Sequence, residues 1–429
     1  MIINVPDDYS SIQEAIYAAN NGDEVVIAPG EYQEAPINFQ GKAITVRSTD
    51  PGNSDIVATT LIRGVQGYPV FNFHMDEGPF SILSGLTITG GDYRHGGGIS
   101  CTDTSPTITN NIITGNNAVW GGGICCGKTN EAMTRPTPRI VNNTITGNTV
   151  TQSGGGIFCR DTSAFIEDNT IMDNEATFYG GGISSRGENI ISKNKILNNR
   201  SEHGAGIEVG ESDTVVNNLI CKNSSINLGP CSTSMGGGIY CHEQPAIINN
   251  TISHNSADLG GGIHCCTSEC TIKNCIITFA IGCGGIYVRP GNPEPAISYC
   301  DVFENEGGNY ANVQDLTGLR GNISVNPRFA NVDNNDYHLR SRTGRWDPLA
   351  KSWVRDRIYS PCIDAGDPSS DYILEPMPNG EWINMGAYGN TNEASMSAPS
   401  LRRFLRFFER IWVVLVNLIW RLWYRFIHI

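Results

Sequence analysis

Between Gly96 and Val288 the tripeptide Gly-Gly-Ile, written once as Gly-Ala-Gly-Ile, returns eight times. Its isoleucines are Ile99, Ile124, Ile157, Ile183, Ile207, Ile239, Ile263 and Ile286, at spacings of 25, 33, 26, 24, 32, 24 and 23 residues. Between them runs a second phrase: NNIITGN, NNTITGN, DNTIMDN, KNKILNN, NNLICKN, NNTISHN and KNCIITF. Its second residue is Asn in all seven: Asn111, Asn143, Asn169, Asn194, Asn218, Asn250 and Asn274. Its last is Asn in six, with Phe279 as the exception. Self-similarity at such a period marks a solenoid, in which each repeat buries its apolar face only against its neighbours.

Inside the long period lies a period of two. In GGGIYC the apolar residues alternate, which is strand spacing, and no apolar run holds a 3.6 period over ten residues in this stretch. A coil of about 24 residues then reads as three short strands and three bends, with coils stacked in parallel ~4.8 Å apart. At a bend the backbone leaves the ladder and its amides lose partners. A buried Asn supplies a donor and an acceptor there, so the Asn positions predict one vertical column. The glycines permit the bend and the close approach of neighbouring coils.

The phrases GGGIYC, NNTITGN and SIQEAIYAANNGDEVVIAPGEYQE resemble right-handed parallel β-helix proteins of the pectin-lyase-like superfold, over about residues 4 to 395. The resemblance implies an all-β solenoid and a placement similar to that of secreted or cell-surface bacterial β-helix proteins. It does not imply one activity, because the fold hosts lyases, hydrolases, epimerases and adhesins.

The chain divides accordingly. Residues 1–60 read as a cap with the first strands, 61–330 as the β-helix, 331–397 as a closing segment and 398–429 as a basic aromatic tail. In the cap, Ile12, Ala15, Ile16 and Ala19 share one helical face, with Ser10 or Ser11 as N-cap. Such a helix covers the open sheet edge of a solenoid. The two long spacings place insertions in CGKTNEAMTRPTP and NSSINLGPCSTSM, expected to wall one face. The tail's uncharged core, Ile411 to Trp420, is too short to span ~30 Å of hydrocarbon, and its Arg and aromatic content reads as an interfacial helix touching a membrane surface. MIINVPDDYS has neither a basic n-region nor an apolar h-region, so export presupposes a processed or misassigned start.

Charge and cysteine usage narrow the classes. Residues 401–429 hold six Arg and one Glu against a net charge of −14, which leaves −19 on the rest. A body that acidic argues against nucleic-acid binding. Cys101, Cys126, Cys159, Cys241 and Cys265 each follow a repeat isoleucine by two and so face inward. Stacked at ~4.8 Å they are too far apart for disulfides and read as small buried hydrophobes. Cys265, Cys266, Cys270, Cys275 and Cys283, beside His264, offer zinc ligands in number. Their spacings match no compact metal pair, so no metal is expected; they read as free thiols, with a local bridge such as Cys266–Cys270 as the alternative. Asp333, Asp336, Asp364, Asp367 and Asp371 are spaced unlike a calcium loop and read as turn and cap carboxylates, with no cofactor expected.

Positions one and three after each isoleucine point outward and form a strip. Arg160, Arg186, Glu208, Tyr240, His242, His264, Tyr287 and Arg289 are the candidate ligand-binding residues, with His203 at the margin. Aromatic faces and Arg forks suit sugar rings and carboxylates, so the partner expected is an acidic polysaccharide. Two other readings stay open. A polysaccharide lyase would use Arg160 or Arg186 as cation and His203, His242 or His264 as base. A glycoside hydrolase would need Glu208 with a second carboxylate ~5 to 9.5 Å away. A purely structural surface β-helix needs none of these.

Overall fold

The computed structural model describes residues 1–128, 134–227, 232–267 and 269–398. It forms two compact units, Met1–Asn326 and the segment from Pro327 onward. The first is a parallel β-helix, as the repeat predicts. One coil shows its plan: strands Thr107–Thr109, Ile112–Thr114, Asn117–Trp120 and Ile124–Gly127 occupy four successive sides. Stacking gives parallel sheets of 12, 11, 8 and 10 strands on those sides in turn. The repeat isoleucines pair in register on the fourth side, Ile99 with Ile124, Ile157, Ile183, Ile207, Ile239, Ile263 and Ile286 in succession. All eight are completely buried.

The expectation of three strands per coil is corrected to four. The phrase carries two corner residues, not one, and the residues after its last Asn pair into a side of their own. Those strands shrink to two residues in Glu175–Ala176, Arg200–Ser201 and Ser224–Ser225, too short to show any periodicity.

The predicted asparagine column is present for six of its seven members. Asn111 Nδ2 donates to Asn143 Oδ1 at 3.1 Å, and the chain runs on through Asn169, Asn194, Asn218 and Asn250 at 3.0 Å per step. Each Nδ2 also donates to a backbone carbonyl, as Asn194 does to Ile166. Asn274 is the correction. It stands one position early, in the left-handed region at φ 55, and Cys275 fills the column and accepts from the Asn250 amide. A second column, Asn116, Asn148, Asn174, Asn199, Asn223 and Asn255, marks the next corner. Glycine makes the turn into the fourth side. Gly121 has φ +65, and a Cβ on Gly122 or Gly123 would lie 2.6 Å from a carbonyl oxygen of the neighbouring coil.

Strand Ile2–Val5 pairs with Glu24–Ile27 and so opens the first sheet. The predicted helix is Ile12–Ala18, N-capped by Ser11, with Ile12, Ala15 and Ile16 buried. A second helix, Ser54–Thr59, has too few apolar residues to show in the sequence.

The second unit begins four residues before the expected closing segment. It holds antiparallel pairs Phe329–Asn331 with Asp336–Leu339, and Arg345–Asp347 with Ser352–Val354. His338 stacks on Tyr388 at 3.7 Å, and its Nδ1 lies 2.6 Å from Asp336. Asp367 and Asp371 accept from the amides of Ser369 and Ile373 in turns. The tips of both insertions and the basic tail, with its membrane reading, fall outside the described residues. Among the described residues no helix is long and apolar enough to cross a membrane.

Candidate functional site

Alternation places the strip on the outer face of the fourth side. Ser184, Glu208, Tyr240, His264 and Tyr287 are successive register partners, and so are Arg160 and Arg186. The aromatic members stack along the solenoid, Tyr240 on His264 at 5.1 Å and His264 on Tyr287 at 5.0 Å. Beside them runs a column from the glycine corner, in which Tyr179 pairs with His203 and His203 with Met235. The columns meet: His203 lies 5.4 Å from Tyr240, and Tyr240 meets His242 edge-on at 4.6 Å. The structure thus gathers every sequence-predicted candidate onto one side of the stack, with Arg289 at its far end.

An outward position is not a solvated one here. Glu208 and His264 are each only 1% exposed, and Tyr240 and Tyr287 are buried as well. Arg160 and Arg289 remain exposed, Arg186 partly so. Glu208 is a buried anchor. Its Oε2 accepts from Ser184 Oγ at 2.7 Å, and its Oε1 accepts from Arg186 Nε at 2.8 Å. Burial pushes the Glu208 carboxyl up, and Arg186 and Ser184 pull it back. Both Glu208 oxygens are engaged by protein donors, and the residue is almost wholly enclosed. The histidines are held neutral. Burial, then Arg186, lowers His242 to about 4, and burial, then His203 and His242, lowers His264 to about 3. Burial also lowers His203. His264 is too enclosed to reach a substrate proton, whereas His242 keeps one edge in solvent, its Nε2 3.5 Å from Glu208.

Two hollows open along this side, and they differ in sign. One, of about 180 Å³, lies among Trp120, Gln152, Phe158, Arg160, Tyr179, Arg186 and the buried Glu208, two cations against one carboxylate. Trp120 on its rim stacks on His95 at 5.0 Å, with the Arg94 guanidinium 5.3 Å from its ring. The other, of about 510 Å³, lies at the following corner among Glu211, Glu243, Gln244, Thr267, Glu269 and Pro293. Arg135, from the first insertion, reaches three coils along the stack to pair with Glu211 at 3.0 Å. This side thus carries an arginine-rich aromatic hollow and a separate acidic corner. Trp120, Phe158 and Tyr179 belong to the site although they were not candidates. Phe158 follows a repeat isoleucine by one, within the rule that selected the candidates, whereas Trp120 and Tyr179 precede one by four, the position that His203 also holds.

The cysteines divide between inside and outside. Cys101, Cys126, Cys159, Cys241 and Cys265 are buried on the inner face. Cys266 is on the outer face, where Arg289 donates to its Sγ, while Cys270 packs inside, so the two do not form a bridge.

Coil period, sheet order and asparagine columns define an all-β parallel β-helix protein. Two family models match parts of the chain. The one described as periplasmic copper-binding protein (NosD) matches residues 92–257, and the one described as disaggregatase related matches residues 296–366. No curated protein matches in sequence. Among solved structures, pectate lyase Pel9A is 14% identical with a TM-score of 0.42, covering 88% of this chain and 90% of that one. A pectin methylesterase from Aspergillus niger is 14% identical with a TM-score of 0.34, covering 79% and 92%. An alginate lyase of family PL6 is 16% identical with a TM-score of 0.37, covering 87% and 59%.

Proposed function

We propose that the chain is an exported β-helix protein that binds an acidic polysaccharide at the basic aromatic hollow. The observation that carries this reading is the pairing of flat ring faces with an exposed guanidinium. Trp120, Phe158 and Tyr179 line the hollow with rings, and Arg160 stands 66% exposed among them, in a long 4.0 Å ion pair with the exposed Asp161. A sugar ring stacks on the former and its carboxylate pairs with the latter. The hollow's volume lies below the ~300–1,000 Å³ of a drug-sized pocket, which suits one sugar residue of a longer chain lying on the surface. The acidic corner repels the same polymer, so the polymer engages the Trp120–Arg186 end and not the whole strip. The word periplasmic in the matching family's description supports a place outside the cytoplasm.

The test is a panel of uronate and neutral glycans, immobilised and probed with the full chain. Binding to uronates that fades with salt supports the reading. Equal binding to neutral glycans, or none to any uronate, overturns it. A cleavage role is read in the same experiment, because a lyase releases products absorbing near 235 nm and a binding protein does not.

A further inference from the structure

The corner column beside the fourth side is a row of rings with one break. His95, Trp120, Ser153, Tyr179 and His203 are register partners in five successive coils. His95 stacks on Trp120 at 5.0 Å with 11° between the planes, and the Arg94 guanidinium of the same strand lies 5.3 Å from the Trp120 ring. On the other side of the break Tyr179 lies 5.2 Å from His203. Trp120 and Tyr179 therefore each have a ring neighbour on one side and Ser153, a single hydroxymethyl, on the other. Trp120, Ser153 and Tyr179 all line the hollow of about 180 Å³, so the hollow is this break in the row. Coils ~4.8 Å apart put the two rings about 9.6 Å apart. A ring placed midway is about 4.8 Å from each, inside the 4.5–7 Å over which rings stack.

We propose that the break takes one uronate ring, sandwiched between Trp120 and Tyr179, and that it selects uronates linked equatorially at both C1 and C4. The inference rests on the polysaccharide reading above and narrows its substrate class. Two walls at that distance touch both faces of the sugar. A pyranose with equatorial links turns C–H bonds to each wall, and its neighbours in the polymer leave near the ring plane. An axial link at C1 or C4 points the next sugar into Trp120 or Tyr179. β-1,4-linked glucuronate is of the first kind. α-1,4-linked galacturonate, axial at both carbons, is of the second. Both carry an equatorial carboxylate at C5, so charge alone does not separate them. That carboxylate pairs with Arg160, on the strand Ile157–Thr162 that follows Ser153. Arg160 is flanked by Gly127, which has no side chain, and by Arg186, whose Nε is taken by Glu208. Gln152 in the lining offers an amide to the ring hydroxyls. With the sugar's plane across the row, the polymer crosses the stack instead of following it.

The test sets β-1,4-glucuronate oligosaccharides against α-1,4-galacturonate oligosaccharides of the same length, and so of the same charge, on the full chain. Two stacked faces predict about tenfold tighter binding of the glucuronate. Saturation-transfer NMR on the parent is expected to reach axial protons on both faces of one sugar residue. Ser153→Phe completes the row and loses binding. It keeps the fold, because rings already fill this position in the coils on both sides. Ser153→Ala keeps both fold and binding. Equal affinity for the two polymers, preference for galacturonate, transfer confined to one face, or a folded Ser153→Phe chain that binds like the parent would each overturn the sandwich. The linkage and NMR arms use the parent alone, so they decide the matter even where Ser153→Phe misfolds. In each of those failures a uronate still binds and the functional reading stands, whereas no binding to either polymer removes that reading itself.

Discussion

Asn194 shows how one side chain holds a corner. It donates to Ile166 O and to Asn218 Oδ1, and it accepts from the Asn169 amide. Asn194→Ala leaves buried backbone groups unpaired and is expected to cost about 1–3 kcal/mol in urea unfolding. A melt equal to the parent's would remove the column's stabilising role. Cys275→Asn should cost under ~1 kcal/mol, because it extends the column rather than breaking it. The column was legible because every member recurs with the same neighbours. Asn274 was misplaced because its phrase slips by one: Ile276 and Ile277 are both buried, but Ile277 is the register partner of the inward Ile252, and two residues before it stands Cys275. The histidines set a pH dependence. His203, His242 and His264 have folded pKa values below the unfolded one, so the unfolded chain binds more protons as pH falls below about 6.5. Their contribution to stability is present above that pH and is lost toward pH 4 and 3. His264→Gln should flatten that loss, by at most about 1.4 kcal/mol per pH unit. An unchanged acid limb in denaturant titrations between pH 6.5 and 4 would contradict the buried neutral state.

Strands and corners divide the labour differently. The glycine corner is set by close approach, and Gly123→Ala forces a Cβ against the Gly156 carbonyl at 2.6 Å and against the Ile145 side chain. Loss of several kcal/mol is expected, in the range of overpacked cores, read as a fall in melting temperature. On the fourth side the two arginines separate. Arg186→Ala strips the partner from a carboxylate that is 1% exposed, and breaking such a pair costs about 3–5 kcal/mol. Arg160→Ala touches only an exposed side chain and should change stability by less than ~0.5 kcal/mol. Equal stability of the two variants would show that Glu208 is not dependent on Arg186. Which residues share the strip was legible from alternation alone. Their burial was not, because it depends on rings and side chains from the neighbouring column and from other coils, as the reach of Arg135 to Glu211 illustrates. The fourth strand of each coil escaped for a related reason: two or three residues carry no period.

At the scale of the whole molecule a stack of coils turns a short repeat into long, in-register rows, and each row has one chemical character. Isoleucine and cysteine rows make the core, asparagine rows make two corners, and the outer row of the fourth side ends in the basic aromatic hollow. The acidic body and the exposed Arg160, with the partly exposed Arg186, beside three rings make a sharp contrast, which a negatively charged polymer reads over a distance set by ionic strength, about 8 Å at physiological salt and 3 Å at 1 M. The most direct measurement is therefore a calorimetric titration of the parent and Arg160→Ala with the uronate oligosaccharide that binds best, at low and at high salt. Loss of one charge-assisted pair predicts about tenfold weaker binding for Arg160→Ala at low salt, a difference that narrows as salt rises, with both chains equally folded. Identical affinities for the two chains, or a parent affinity indifferent to salt, would contradict the account.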